Sequence, residues 1–274
     1  MISWRAPVLV VLALPLLAAA AGAGQTATAT RAAAYRAPRA PDGHPDLQGI
    51  WQAVNAAAWD IEDHAARLGV PAGYGVVEGG ELPYQPSALA QRKKNFDARL
   101  TADTAAKCYL PGVPRITYMP FPFQIFQAYP TRRGDGEYGL DRDLGVAINY
   151  EYLEAIRYIH TDGSPHLDNG PQWMGDSRGR WEGDTLVVDV TNFNDETWFD
   201  ASGNFHSDAL HVVERYTRTG PDTLWYEATI DDPKVFTRPW KMRMPLYRRQ
   251  EPGLRLLEYY CHGYAEEERH RKGQ

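Results

Sequence analysis

The sequence predicts a mainly β protein, a lipocalin-like (calycin-like) antiparallel β-barrel with a mixed helix and loop segment towards its amino end. Three observations predict it. Short runs of alternating apolar and polar residues, separated by turn dipeptides, recur through the second half of the chain. They number about eight with the run at Trp51, enough to close or nearly close a barrel whose interior holds one small ligand. The Gly49-x-Trp51 pair sits at the mouth of the first run, and an indole is large enough to plug one end of a small barrel.

The chain has 274 residues and a net charge of −6. Residues 1–23 read as a cleavable secretory signal. Arg5 gives the positive start, positions 7–20 form an apolar run of about 14 residues, and Ala21-Gly22-Ala23 supplies the small residues a signal peptidase needs. A spanning helix needs about 20 apolar residues, and this run contains Pro15, so a stable membrane anchor is not expected. No Cys follows it to carry a lipid and no twin Arg precedes it. The expected location is the periplasm or the medium. Residues 24–41, rich in Ala, Thr, Arg and Pro, read as a flexible leader, and residues 42–274 as a single barrel domain.

Residues 55–107 interrupt the strand pattern with Gly- and Pro-rich turns and one helix expected at 87–99, with Ser87 as its N-cap. Beyond them, strands are expected at 123–129, 145–159, 185–193, 210–218, 223–231, 240–248 and 254–261. The intervening turns agree: Asp162-Gly163, Gly183-Asp184, Gly203-Asn204, Pro221-Asp222 and Pro252-Gly253. Cys108 and Cys261 leave two readings open, one disulfide closing a very long loop or two buried thiols.

A mildly acidic chain without a basic block is a poor partner for nucleic acid. His160 and His166 are six apart and His206 and His211 five apart, spacings that match no zinc helix motif, and no metal is expected. No Gly-rich phosphate loop or haem attachment motif appears, so no cofactor is expected. Ser207 lies outside any G-x-S-x-G elbow and has His206 as its sequence neighbour, which argues against a serine hydrolase.

The densest polar stretch runs from Asn192 to Glu214 and holds Asn194, Asp195, Trp198, Asp200 and His206. An unperturbed histidine exchanges protons near neutral pH, so His206 is the expected acid or base, with Asp195 or Asp200 orienting its ring; turn capping is the competing reading of these residues. Arg157 or Arg115 would anchor a carboxylate or phenolate bidentately, although for Arg157 an ion pair with Glu151 or Glu214 is the favoured reading. Alternation places Glu214 on the face of Leu210, Val212 and Tyr216, and Glu258 similarly between Leu256 and Tyr260. Trp198, Tyr226 and Trp240 are expected as walls of a flat slot for an aromatic or hydrophobic small molecule.

The segments P-D-L-Q-G-I-W at Pro45, C-x-x-P-G-x-P-R at Cys108, R-x-I-x-x-D-G at Arg157 and R-G-R-W-E-G-D-T-L-V-V at Arg178 occur in order. They continue with T-N-F-N-D-E-T-W at Thr191, H-S-D-A-L-H-V-V-E-R at His206, D-P-K-V-F-T-R-P-W at Asp232 and E-Y-Y-C-H at Glu258. In these the chain resembles a large, mostly uncharacterised family of exported bacterial proteins. Some similar proteins look like cofactor-independent enzymes acting on lignin-derived phenolic dimers, by decarboxylation or loss of formaldehyde from a phenylcoumaran. The resemblance implies a lyase with side-chain chemistry alone; a periplasmic carrier without catalysis is the alternative. Asp176 departs from the His or Tyr expected there in many relatives, which marks it as a specificity residue if it touches substrate. A homo-oligomer is compatible with all of this.

Overall fold

The computed structural model describes residues 35–127, 145–168, 170–261, 269 and 271–273. Nine strands form one antiparallel sheet: β1 (Gly49–Ala53), β2 (Phe123–Gln127), β3 (Val146–Tyr150), β4 (Ile156–Ile159), β5 (Asp176–Glu182), β6 (Thr185–Thr191), β7 (His211–Gly220), β8 (Thr223–Asp231) and β9 (Trp240–Arg248). Their order is β4-β3-β2-β1-β9-β8-β7-β6-β5. The two edges meet where the His160 N–H donates to the Ser177 carbonyl (3.2 Å) and the Gly179 N–H to the His160 carbonyl (2.7 Å), so the sheet nearly closes into a lipocalin-like barrel. The expected signal, the leader up to residue 34 and the end of the strand expected at 123–129 lie outside the described residues. Within the stretch read as leader, Ala37 and Ala40 are buried.

The alternation that predicts the strands is also what fills the barrel. Val212, Glu214 and Tyr216 of β7, Leu224, Tyr226, Ala228 and Ile230 of β8, and Met242, Met244 and Leu246 of β9 all face inward and are buried. Large inward side chains stabilise such a core by roughly 1.5–3 kcal/mol each. Trp51 is fully buried; its indole N–H donates to the Leu47 carbonyl at 2.9 Å, and the Arg218 guanidinium lies over its ring.

Four expectations need correction. The strand expected at 145–159 is two, because a 3-10 turn at Tyr152–Glu154, with Leu153 and Glu154 at positive φ, reverses the chain between β3 and β4. β5 was not expected at all. Its outward Arg178, Arg180 and Glu182 and its small inward Ser177 and Gly179 show no apolar alternation. Gly179 has to be small, since a Cβ there would sit 2.7 Å from Ile159 Cγ2 at the seam with β4. Residues 254–261 do not form a strand. They run as irregular chain fixed by the Leu257 N–H to Glu151 Oε2 (2.9 Å) and by a Cys108–Cys261 disulfide, and Glu258 is exposed instead of inward.

The last correction concerns the helix. α1 (Pro86–Ala102) begins at a proline preceded by Gln85, so Ser87 is not its cap; proline's fixed φ and missing N–H suit the first helical turn. The irregular residues before α1 pair with β9 beyond the end of β1, through Glu78 N–H to the Lys241 carbonyl and Arg243 N–H to the Val76 carbonyl. α2 (Arg115–Tyr118) is a single buried turn leading into β2.

Candidate functional site

The residues expected to act together fall into four places. Inside the barrel, β4 and β7 bring Arg157 and Glu214 face to face, with Arg157 Nη2 2.5 Å from Oε2 and Nη1 3.2 Å from Oε1. Tyr226 and Tyr216 donate their hydroxyls to Glu214 Oε1 at 2.8 and 3.0 Å, and Arg157 Nε donates to Ser177 Oγ at 3.0 Å. Burial opposes the charge on Arg157, but Glu214 beside it and the surrounding tyrosines hold its pKa well above the usual value. Burial, and then the Glu214 charge, push the Tyr216 and Tyr226 hydroxyls well above the normal tyrosine range, so both remain neutral donors. This is the Arg157–Glu214 ion pair, with Tyr216, Tyr226 and Ser177 bonded to it and the buried Tyr150 hydroxyl beside it left without a hydrogen-bond partner. Arg115 is likewise committed: its guanidinium meets Asp103 through two bonds, of 2.8 and 2.7 Å, with both side chains buried.

His206 is buried between β6 and β7. Its Nδ1–H donates to the Ser207 carbonyl (2.9 Å) and its Nε2 accepts from the Thr197 hydroxyl (2.6 Å). Burial lowers its pKa, which favours the neutral ring. The expected orientation by Asp195 does not occur: Asp195 is exposed and both ring nitrogens are taken elsewhere. Gly112 of the C-x-x-P-G motif packs against the same threonine; a Cβ there would lie 2.5 Å from Thr197 Oγ1, and its φ of +78° favours glycine.

Asp176 sits outside the barrel wall. It accepts from Arg178 Nη2 (2.9 Å), from the Leu167 N–H (3.0 Å) and from His166 Nδ1 (2.9 Å), while His166 Nε2 reaches Asp189 at 2.9 Å and His211 meets the other Asp189 oxygen at 3.0 Å. Burial opposes the Asp176 charge, but the bonds from Arg178, Leu167 and His166 outweigh it and lower its pKa. Asp176 thus ties the 161–172 loop to β5 and β6. Trp198 and Trp240 are buried, Trp240 among Phe199 and Phe236, and Tyr226 belongs to the polar core described above.

The fourth place is an open groove, and Asn194 and Asp195 line it. Tyr109 and Trp173 stack across it with ring centroids 5.1 Å apart and planes within 9°. They divide it into a 370 Å³ cavity, bordered by Cys108, Leu110, Leu153 and Tyr260, and a 660 Å³ cavity bordered by Thr104, Lys107, Pro171, Asn194, Asp195 and Glu196. Backbone geometry aims these groups. Cys108 turns the chain at a left-handed φ of 67° and is fixed by its disulfide, and the Tyr152 hydroxyl donates to the carbonyls of Ala105 (2.9 Å) and Tyr109 (3.3 Å). On the opposite side Gln172 bridges to the Asn192 carbonyl at 2.7 Å, placing Trp173, and Thr104 Oγ1 donates to the Glu196 carbonyl at 3.0 Å. The aromatic content of the chain anticipates such walls, and Trp173 lies beside a strand; Tyr109 carries no signal in the sequence because a loop with two prolines gives no period. No protein-family model, curated protein or solved structure matches this chain.

Proposed function

We propose that this is an exported barrel protein that binds an aromatic or otherwise hydrophobic small molecule in the groove walled by Tyr109 and Trp173. The stack itself carries the reading. Two large rings held parallel at the surface, with apolar space on one side and Asn194, Asp195 and Lys107 on the other, match what a flat ligand with polar substituents needs. The barrel interior is a weaker candidate, because Tyr216, Tyr226 and the ion pair are engaged with one another.

The motif resemblance supports a cofactor-independent lyase acting there on phenolic, lignin-derived dimers by decarboxylation or loss of formaldehyde. In that reading Asp195 or Glu196 is the base and Lys107 the counter-ion for a phenolate. The carrier reading is favoured by a specific observation, that His206 has both ring nitrogens engaged and is buried away from the groove. Incubation of the purified protein with phenolic dimers, steroids and fatty acids separates the two. A change in ligand mass identifies the lyase, and thermal protection without a mass change identifies the carrier. Absence of both, or protection that survives Trp173→Ala undiminished, overturns ligand binding in this groove.

A further inference from the structure

His166 lies between two carboxylates at the root of the chain segment that delivers Trp173. Its Nδ1 is 2.9 Å from Asp176 Oδ2 and its Nε2 2.9 Å from Asp189 Oδ1. Burial opposes the charge on both carboxyls, but the bonds from Arg178, Leu167 and His166 lower the Asp176 pKa, and those from His211 and His166 lower that of Asp189. Both are therefore carboxylates near neutral pH, and a carboxylate only accepts hydrogen bonds. A neutral imidazole carries a single N–H, so the ring satisfies both partners only as the imidazolium. Removal of the second proton turns a ring lone pair towards an anionic oxygen, and one anchor becomes a repulsion. With 29% of its side chain exposed, His166 exchanges protons with solvent.

The other charged groups near the ring keep both carboxylates in place when that proton leaves. Arg178 of β5 holds Asp176 through Nε and Nη2, at 3.0 and 2.9 Å, and Ser164 Oγ through Nη1. His211 of β7 meets the other oxygen of Asp189 at 3.0 Å, a bond its neutral form also makes. On the ring's own loop, Asp162 turns onto the Ser164 N–H at 2.9 Å with His160 near it, and Asp168 is exposed. The loop reaches the groove through Asn192. The Asn192 side-chain amide donates to the Leu167 carbonyl, and its backbone carbonyl accepts from the Gln172 N–H at 2.7 Å, next to Trp173. We infer that His166 is a proton-operated latch: protonated, it locks Leu167, Asn192 and Gln172 together and fixes the Trp173 wall, and deprotonated it releases one anchor and loosens that wall. A fixed wall needs less ordering when a ligand arrives, so aromatic ligands bind tighter with the latch closed, a consequence that rests on the reading of the groove proposed above.

Hydrogen exchange read by NMR at about pH 5.5 and about pH 8, either side of the range in which an imidazole exchanges its proton, tests the latch. After correction for intrinsic exchange rates, the Leu167 and Gln172 amides are expected to be several-fold better protected at the lower pH, while amides of β7 and β8 report that the barrel itself is intact. His166→Gln, which carries no titrating proton, is expected to show low protection at both pH values, and His211→Asn to keep the step. Isothermal titration with 4-phenylphenol is expected to give about threefold tighter binding at the lower pH in the wild type, and no difference in His166→Gln. Equal protection at both pH values, a step that persists in His166→Gln, or one that vanishes in His211→Asn overturns the latch. Equal affinity beside a clear step in protection overturns its coupling to the groove, and a step in protection with no 4-phenylphenol bound at either pH sinks the groove reading alone.

Discussion

Arg157 and Glu214 meet inside the barrel with 2% and 0% of their side chains exposed, joining the edge strand β4 to β7, the third strand from the other edge of the sheet. Removing one partner leaves an uncompensated buried charge, which costs about 3–5 kcal/mol. Glu214→Ala is expected to lower the free energy of unfolding in urea by that amount, and Arg157→Met, Glu214→Leu together by clearly less than the sum of the singles. Additive losses would show that the two side chains do not depend on each other.

At the groove, Trp173→Ala removes half of an aromatic stack whose specific geometry is worth about 0.5–1.5 kcal/mol beyond buried area. Affinity for an aromatic ligand is expected to fall about tenfold, with a melting temperature within about 2 °C of wild type because the ring is at the surface. A variant that melts much lower would make Trp173 part of the core instead.

His206→Ala is expected to destabilise the protein by about 2–4 kcal/mol, since it leaves a cavity and strips the Thr197 hydroxyl of its acceptor. Because burial holds the His206 pKa below its ordinary 6.5, its contribution is fully present above pH 6.5 and lost as the pH falls through the lower folded value. Denaturation at a series of pH values, with His206→Gln as the comparison, reads this directly. A wild-type acid limb in His206→Gln would remove the ring from the account.

Asp200 has the opposite sign. It is buried close to Asp60, with Asn204 Nδ2 reaching both carboxylates at 2.6 and 3.3 Å, and burial together with the Asp60 charge pushes its pKa up to about 7 from an ordinary 3.8. The folded state therefore holds a proton that the unfolded chain has released, and stability falls as the pH rises across that window, by at most about 1.4 kcal/mol per pH unit. The slope, measured by chemical denaturation, is expected to flatten in Asp200→Asn whatever that variant does to absolute stability. An unchanged slope would assign the titration to another group.

The Cys108–Cys261 disulfide spans 153 residues and borders the smaller half of the groove. Replacing both cysteines by serine is expected to cost about 2–5 kcal/mol, mostly by freeing the unfolded chain, and to weaken aromatic ligand binding because Tyr109 and Tyr260 lose their anchor. Equal denaturation midpoints with and without reductant would contradict it.

Where each strand buries one face, the sequence alone carries the answer. The runs ending in β6, β7, β8 and β9 start and stop within a few residues of their expected positions, because a period of two places Val212, Glu214 and Tyr216 inward whatever their neighbours are. The same periodicity makes an inward Glu214 legible, and with it the need for an arginine. Local patterning also shows the break at 55–107 and the aromatic content from which a ligand wall is built.

Only the tertiary structure decided which of the polar residues meet. β5 is invisible locally because the seam needs Gly179 to be small against Ile159, a demand set by a strand 20 residues away. The turn that separates β3 from β4 rests on Leu153 and Glu154 at positive φ, which neither residue type advertises. His206 and Asp195 are near neighbours in the chain, yet one is pinned inside by Thr197 and Ser207 while the other faces the groove with Tyr109 and Trp173. Sequence periodicity records which face of a strand is buried. The contacts across a closed sheet, and hence the groove and the two carboxylates at Asp60 and Asp200, depend on residues far apart in the chain, and one sequence holds no local trace of them.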